Sequence, residues 1–365
     1  MLYNMKEILA VAKEHKFAIP AFNVADWSMF LGIMDECEAT NSPVIIEIHP
    51  DELAFEGPDM VGAIRQRALK SKVPVCIHLD HCSNFGTIIE AIQCGFTSVM
   101  FDGASLPFEE NIAGAKKVVE ATRLSKVFFC NSGAEATEGA LKLARKYYFL
   151  KHHKADSEVI AFHQSFHGRT TGSVKLTGNA HYQQAFGPLM EGVKYATLND
   201  LESVKALLTD RTGAIIVEPV QGEGGVNPCT KEFLQGLRQI CDEKDICLIL
   251  DEVQCGMGRT GTIMTYFQYD ILPDIVCLAK GIGCGVPVGA FVANEKFAKA
   301  MEPGDPGSTY GGNPFVTAAV STVFDILKKD SIVENCKEVS EYLLEELDKV
   351  VEDYDCVVGH RGLGL

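Results

Sequence analysis

The sequence predicts an α/β protein made of two parallel-sheet segments in series. Over the first 120 residues, four apolar runs alternate with helix-like stretches. From Leu124 the alternation resumes with a different rhythm and longer loops. No linker, internal repeat or low-complexity tract separates the two parts.

Residues 1–16 read as an amphipathic helix, in which Lys6, Glu7, Lys13 and Glu14 interrupt the apolar positions. The apolar runs 18–24, 43–48, 74–79 and 97–101 are strand candidates, followed by helix-like segments near 27–39, 59–70, 84–93 and 107–122. Four such units imply a parallel sheet, either half of a (β/α)8 barrel or one wing of an open sheet. Asn23, His49, Asp80, His81 and Asp102 stand just after the strands. In both architectures that is the ligand-binding end.

In the second part, 127–130 reads as a strand, and Asn131-Ser132-Gly133 turns into a helix through about 148. Ala136, Ala140, Leu143 and Tyr147 share one face of that helix. Glu135 and Glu138 lie early in it, and Lys142, Arg145 and Lys146 late, matching the helix dipole. Further strands are expected at 159–162, 214–217, 247–250 and 275–278, with a helix at 231–243 and helical structure from 314 through about 349.

Bulk properties exclude some partners. A formal net charge of -16 argues against nucleic acid or an anionic membrane. No stretch approaches the roughly 20 apolar residues of a membrane span. Thirteen scattered cysteines, no CxxC pair and no secretion signal point to reduced thiols in a cytoplasm.

Two constellations carry chemistry. The run CLILDEVQ ends a buried strand in Asp251 and Glu252, and a second buried strand ends in Lys280 before Gly281-Ile282-Gly283. A strand-end lysine in a glycine-rich turn suits Schiff-base chemistry, and a carboxylate on a neighbouring strand can keep a pyridinium nitrogen protonated. Taken alone, such a lysine is more often a surface ion-pair partner. Asn131-Ser132-Gly133-Ala134 opens a helix, where free N–H groups favour a phosphate; the same residues also read as an ordinary cap. In the first part, IHLDH ends a strand in Asp80 and His81, a proton-transfer group and a metal ligand by residue type. One histidine is weak evidence for a metal, which needs three or four ligands.

The runs SGAEATEGALKLAR, SFHGRT, VEPVQGEGG, LILDEVQCGMGRTG, CLAKGIGCGVPVGA and GSTYGGNP, in that order, resemble the class III aminotransferases, the acetylornithine type most closely. The resemblance covers about 124–365. It implies a fold-type I pyridoxal-phosphate-dependent large domain (123–312), the start of a C-terminal small domain that is truncated here (313–365), and a homodimer. It also implies residue roles. Lys280 would bond the cofactor and move the proton, and Asp251 would pair with the pyridinium nitrogen. Phe166 and Val253 would flank the ring, with Gln254 on the ring hydroxyl. Ser132, Gly133 and Ala134 would cradle the phosphate, and Thr309 with Ser308 would reach the phosphate of the neighbouring subunit. Arg169 would take a substrate carboxylate. Glu223 resembles the residue that masks a second arginine. The implied reaction is N-acetylornithine plus 2-oxoglutarate to N-acetylglutamate semialdehyde plus glutamate, a step of arginine biosynthesis.

The runs KEILAVAKEHKFAIPAFNV, VIIEIHPDEL, VPVCIHLDH and AIQCGFTSVMFDGASLPFEENI resemble the N-terminal half of the class II fructose- and tagatose-bisphosphate aldolases, over about 1–122. That resemblance implies half of a (β/α)8 barrel, with Asp80 as acid/base and His81 as a zinc ligand. The family completes its zinc site with later histidines, and none lies between His81 and the junction near 122–125. A zinc-dependent aldolase is therefore the second expectation, with an incomplete site and no zinc. A fusion remnant that at most binds the cofactor is the third.

Overall fold

The structure is a computed structural model that describes residues 1–101 and 108–365. Asp102 and the expected start of the fourth helix at Pro107 lie outside the described residues. The chain forms two compact units, Met1–Pro107 and Phe108–Leu365.

The first unit holds a four-stranded parallel sheet in sequence order: Ala21–Asn23, Val44–Ile48, Val75–Cys82 and Ser98–Phe101. Helix Met5–His15 opens with a capping box, in which Asn4 accepts from the Glu7 amide and Glu7 from the Asn4 amide. Helices Trp27–Ala39, Pro50–Leu69 and Phe85–Cys94 follow the first three strands. The second of these begins nine residues before the segment expected at 59, because His49 caps it and Pro50 sits in its first turn, with Gly57 non-helical inside it. The central strands read VIIEI and VCIHLDHC and bury most of their length, as a sheet covered by helices requires.

The second unit is built on a seven-stranded sheet. Its order is Lys126–Cys130, Gly289–Ala293, Ile275–Leu278, Cys247–Asp251, Thr212–Val217, Glu158–Phe162, Val193–Ala196. All strands run parallel except Gly289–Ala293, which is antiparallel to both neighbours. Alternate side chains feed two cores. Leu248, Leu250, Val276 and Leu278 pack on one face with Phe233, Leu237 and Ile240 of helix Lys231–Lys244. Cys247, Ile249, Ile275 and Cys277 pack on the other with Ala136, Ala140 and Leu143 of helix Gly133–His152. With both faces covered, the strands read as unbroken apolar runs.

Helix Phe108–Thr122, in the segment whose sequence resembles an aldolase, packs within the second unit. It lies along helix Pro314–Lys329, and Gly114 closely approaches the Thr317 carbonyl. Lys117 Nζ reaches Asp325 (2.6 Å) and Ser321 Oγ (2.8 Å), and the buried Tyr266 hydroxyl donates to the Thr122 carbonyl (2.7 Å). The helical stretch expected at 314–349 is two helices, Pro314–Lys329 and Ile332–Asp353, divided at Ser331 with φ +50°. Among the described residues no helix is long and apolar enough to cross a membrane, and all thirteen cysteines are unpaired.

Candidate active site

Two parallel strands bring the central residues together. Cys247–Asp251 and Ile275–Leu278 are neighbours, with Asp251 opposite Cys277. Each chain leaves its strand at the same end, so Asp251 and Lys280 line one cavity of about 490 Å³. Lys280 takes φ +49°, an uncommon conformation for a residue with a side chain, and its carbonyl accepts from the Gly283 and Cys284 amides. The side chain is exposed at the cavity, and among the described residues its ammonium makes no ion pair.

Asp251 is 4% exposed and both of its oxygens are engaged. Oδ2 accepts from His167 Nδ1 (2.8 Å) and Oδ1 from the Val253 amide (3.0 Å). His167 is fully buried. Burial disfavours its charged form, yet the hydrogen bond and charge of Asp251 outweigh that and hold its pKa above the ordinary value. Its Nε2 is buried without a partner among the described residues. Glu218, also buried, accepts from the Phe166 amide (2.8 Å); burial pushes its pKa up, with the Asp251 charge adding to the rise and His167 opposing it. Glu252 turns away from the cavity and caps the 3-10 turn Thr265–Tyr269, accepting from the Thr265 and Tyr266 amides at 2.8 Å each.

The helix Gly133–His152 points its N-terminus at the cavity. Ser132 is its cap and accepts from the Glu135 amide (3.2 Å), so the Gly133 and Ala134 amides stay available to a phosphate. A Cβ at Gly133 would stand 2.9 Å from Val253 Cγ1, so the close approach needs glycine. The two glutamates of the first turns are bound elsewhere. Glu135 accepts from the Asn131 amide (3.0 Å) and side chain (2.9 Å). Glu138 accepts from the Thr170 hydroxyl and the Gly172 and Ser173 amides.

Phe166, Val253, Gln254 and Arg169 line the same cavity. The Arg169 guanidinium lies 4.7 Å from the ring centre of Tyr182 and 5.5 Å from that of Phe166. Glu223 lines a second cavity of about 840 Å³, which shares Gln254 and Lys280 with the first and has Arg361 in its wall. Ser308 stands beside the helix N-terminus, accepting from Asn131 Nδ2 (3.1 Å); Thr309 lines neither cavity. In the first unit, Asp80 is half-buried and His81 exposed, with Asp80 Oδ1 3.9 Å from His81 Nε2.

Sequence reasoning missed three contributors: His167, Glu218 and Tyr182. The available signal for His167 was its place beside Phe166 in SFHGRT, but its bond to Asp251 spans 84 residues.

Capturing a carbonyl on an amine, holding a ring nitrogen against a buried carboxylate and seating a phosphate on a helix N-terminus is the chemistry of pyridoxal-phosphate-dependent transferases. Residues 81–365 match the family model described as aminotransferase class-III, and the chain belongs to that family. Residues 3–129 match the model described as fructose-bisphosphate aldolase class-II. An acetylornithine aminotransferase of Methanocaldococcus jannaschii is 46% identical over 292 residues, which are 79% of this chain and 72% of that protein. A succinylornithine transaminase of Salmonella paratyphi B is 47% identical over 251 residues, 69% of this chain and 62% of that one. Among solved structures, the ornithine aminotransferase from Toxoplasma gondii ME49 superposes with a TM-score of 0.67 at 29% identity, covering 70% of this chain and 62% of its own. A Bacillus anthracis aminotransferase gives 0.67 at 27% identity, covering 77% and 69%. The family implies pyridoxal phosphate, and the residues fit it: a doubly bonded buried carboxylate, amides left open by the Ser132 cap, and a glycine where a Cβ would intrude.

Proposed function

We propose that this chain is an acetylornithine-type transaminase that moves an amino group from N-acetylornithine to 2-oxoglutarate. Pyridoxal phosphate, when bound, supplies an electrophilic carbonyl and an electron-accepting ring. Lys280 holds it and takes the proton from the substrate carbon that bears the amine. Asp251, oriented by His167 and the Val253 amide, keeps the ring nitrogen protonated. Phe166 and Val253 flank the ring, Gln254 meets its hydroxyl, and Gly133 and Ala134 hold the phosphate.

Arg169 carries the substrate assignment. Its planar guanidinium, stacked near Tyr182 and Phe166 in the same cavity as Lys280, is suited to a bidentate carboxylate. N-acetylornithine bears one such carboxylate and 2-oxoglutarate two. Glu223, at the second cavity, would separate the amino donor from the oxo acid. Ser308 and Thr309 would serve the phosphate of a second copy, so the working unit is a homodimer. The large domain spans 123–312 with the small domain beginning at 313, and the helix Phe108–Thr122 supports it. In the first unit, four parallel strands in sequence order support the half-barrel reading.

The test is glutamate formation from N-acetylornithine and 2-oxoglutarate by cofactor-loaded protein. Turnover abolished by Lys280→Ala is expected. Cofactor binding without turnover would replace this reading with that of an inactive remnant.

A further inference from the structure

The first unit contains a side-chain cluster that the transaminase site does not use. Glu47, His78 and Asp80 each place a ligand atom within 4.8 Å of the others. The strand register explains why. Glu47 pairs with His78 across one strand boundary, and His78 with Ser98 across the next. Asp80 follows His78 by two residues and shares its face. The row lies toward the C-terminal ends of parallel strands, where such sheets hold ligands.

Three features separate this row from ordinary exposed polar side chains. His78 is only 8% exposed, and Ser98 Oγ engages its Nδ1 at 2.8 Å. Metal-bound imidazoles use such a partner to fix the ring and leave the other nitrogen for the ion. The two carboxylates are half-buried and face one another, and among the described residues neither accepts a hydrogen bond. Two negative groups so close, with the exposed His81 imidazole 3.9 Å from one of them, are costly unless a further cation lies between them. Asp80 and His81 were the expected pair. His81 is 60% exposed, 3.9 Å from Asp80, and outside the three-residue set.

We propose that Glu47, His78 and Asp80 bind one divalent transition-metal ion, with Ser98 orienting the imidazole. One nitrogen and two carboxylate donors suit Mn²⁺ or Zn²⁺ better than Ca²⁺ or Mg²⁺, and three protein ligands leave positions for water. This is not the ligand set implied by the aldolase resemblance, which rests on His81. The proposal is independent of the reaction at Lys280.

Mn²⁺ titration of the full chain, followed by the loss of free-ion paramagnetic resonance signal, tests it with a probe that cysteines bind poorly. Wild type should bind a single Mn²⁺ at submillimolar concentration. Glu47→Gln and His78→Gln should each weaken binding by about tenfold or more, Ser98→Ala on the order of tenfold, and His81→Ala should leave it unchanged. If Glu47→Gln fails to fold by circular dichroism, Asp80→Asn takes its place. Absence of binding in wild type overturns the proposal. So does retention of binding in Glu47→Gln, or loss in His81→Ala as large as in His78→Gln.

Discussion

Asp251→Asn is the substitution whose cost follows most directly from the geometry. Asp251 satisfies two donors, with Oδ2 on His167 Nδ1 at 2.8 Å and Oδ1 on the Val253 amide at 3.0 Å. Asparagine keeps the shape but offers one oxygen, so one of these donors must face an NH₂ group. An unpaired buried donor costs about 1–3 kcal/mol. His167, fully buried, also loses its counter-charge. A net destabilisation of roughly 2–3 kcal/mol follows, and at about 2–4 °C per kcal/mol for a unit of this size the melting temperature should fall by ~5–10 °C. The loss is pH-dependent. The folded pKa of His167 is raised, so its pairing contributes stability that is fully present below the unfolded value and disappears as pH rises through the folded value. The variant should lose that part of the stability profile. Turnover should fall on the order of 10²–10⁴-fold, the usual scale for a positioned protonation partner. Calorimetry and glutamate formation, measured on the same preparations, give both numbers. A variant that melts within ~2 °C of wild type and keeps its turnover within about threefold would refute the role assigned to Asp251.

Three further outcomes are expected. Arg169→Lys loses the planar donor pair and its stacking, so KM for the amino donor should rise on the order of 10–100-fold with kcat little changed; an equal fall in kcat with KM constant would contradict a binding role. Gly133→Ala puts a Cβ 2.9 Å from Val253 Cγ1, which should cost about 1–3 kcal/mol and weaken cofactor retention in an absorbance titration; unchanged affinity would count against the phosphate cradle. In the first unit, Arg67 grips Glu38 through two hydrogen bonds (2.7 and 2.9 Å) and, with Ser71, lowers the Glu38 pKa to about 2. That stability is present above the unfolded carboxylate value and lost as pH falls toward 2, so Glu38→Gln should flatten acid unfolding there; an unchanged acid profile would contradict the pairing.

The strands Cys247–Asp251 and Ile275–Leu278 were legible because burial on both faces turns them into unbroken apolar runs that end in a carboxylate and a lysine. Gly289–Ala293, GAFVA, escaped because small residues in a fully covered strand show no alternation. Val193–Ala196, at the sheet edge, is too short and mixed to stand out. The break between the last two helices carries no glycine or proline, since Asp330-Ser331 turns the chain there. Lys280, Asp251, Gly133 and Phe166 could be read from local motifs. The buried partnership of His167 with Asp251 could not, because nothing near either residue in sequence records it. Helix Phe108–Thr122 is the sharpest case: its sequence resembles an aldolase, while its packing serves the aminotransferase sheet.

The central claim is that Lys280 bonds pyridoxal phosphate, and reductive trapping tests it most directly. Protein loaded with the cofactor is treated with borohydride, digested and analysed by mass spectrometry. A stoichiometric phosphopyridoxyl adduct on the peptide containing Lys280, absent from Lys280→Ala, is the expected result. An adduct spread over surface lysines, or one that persists in Lys280→Ala, would contradict it.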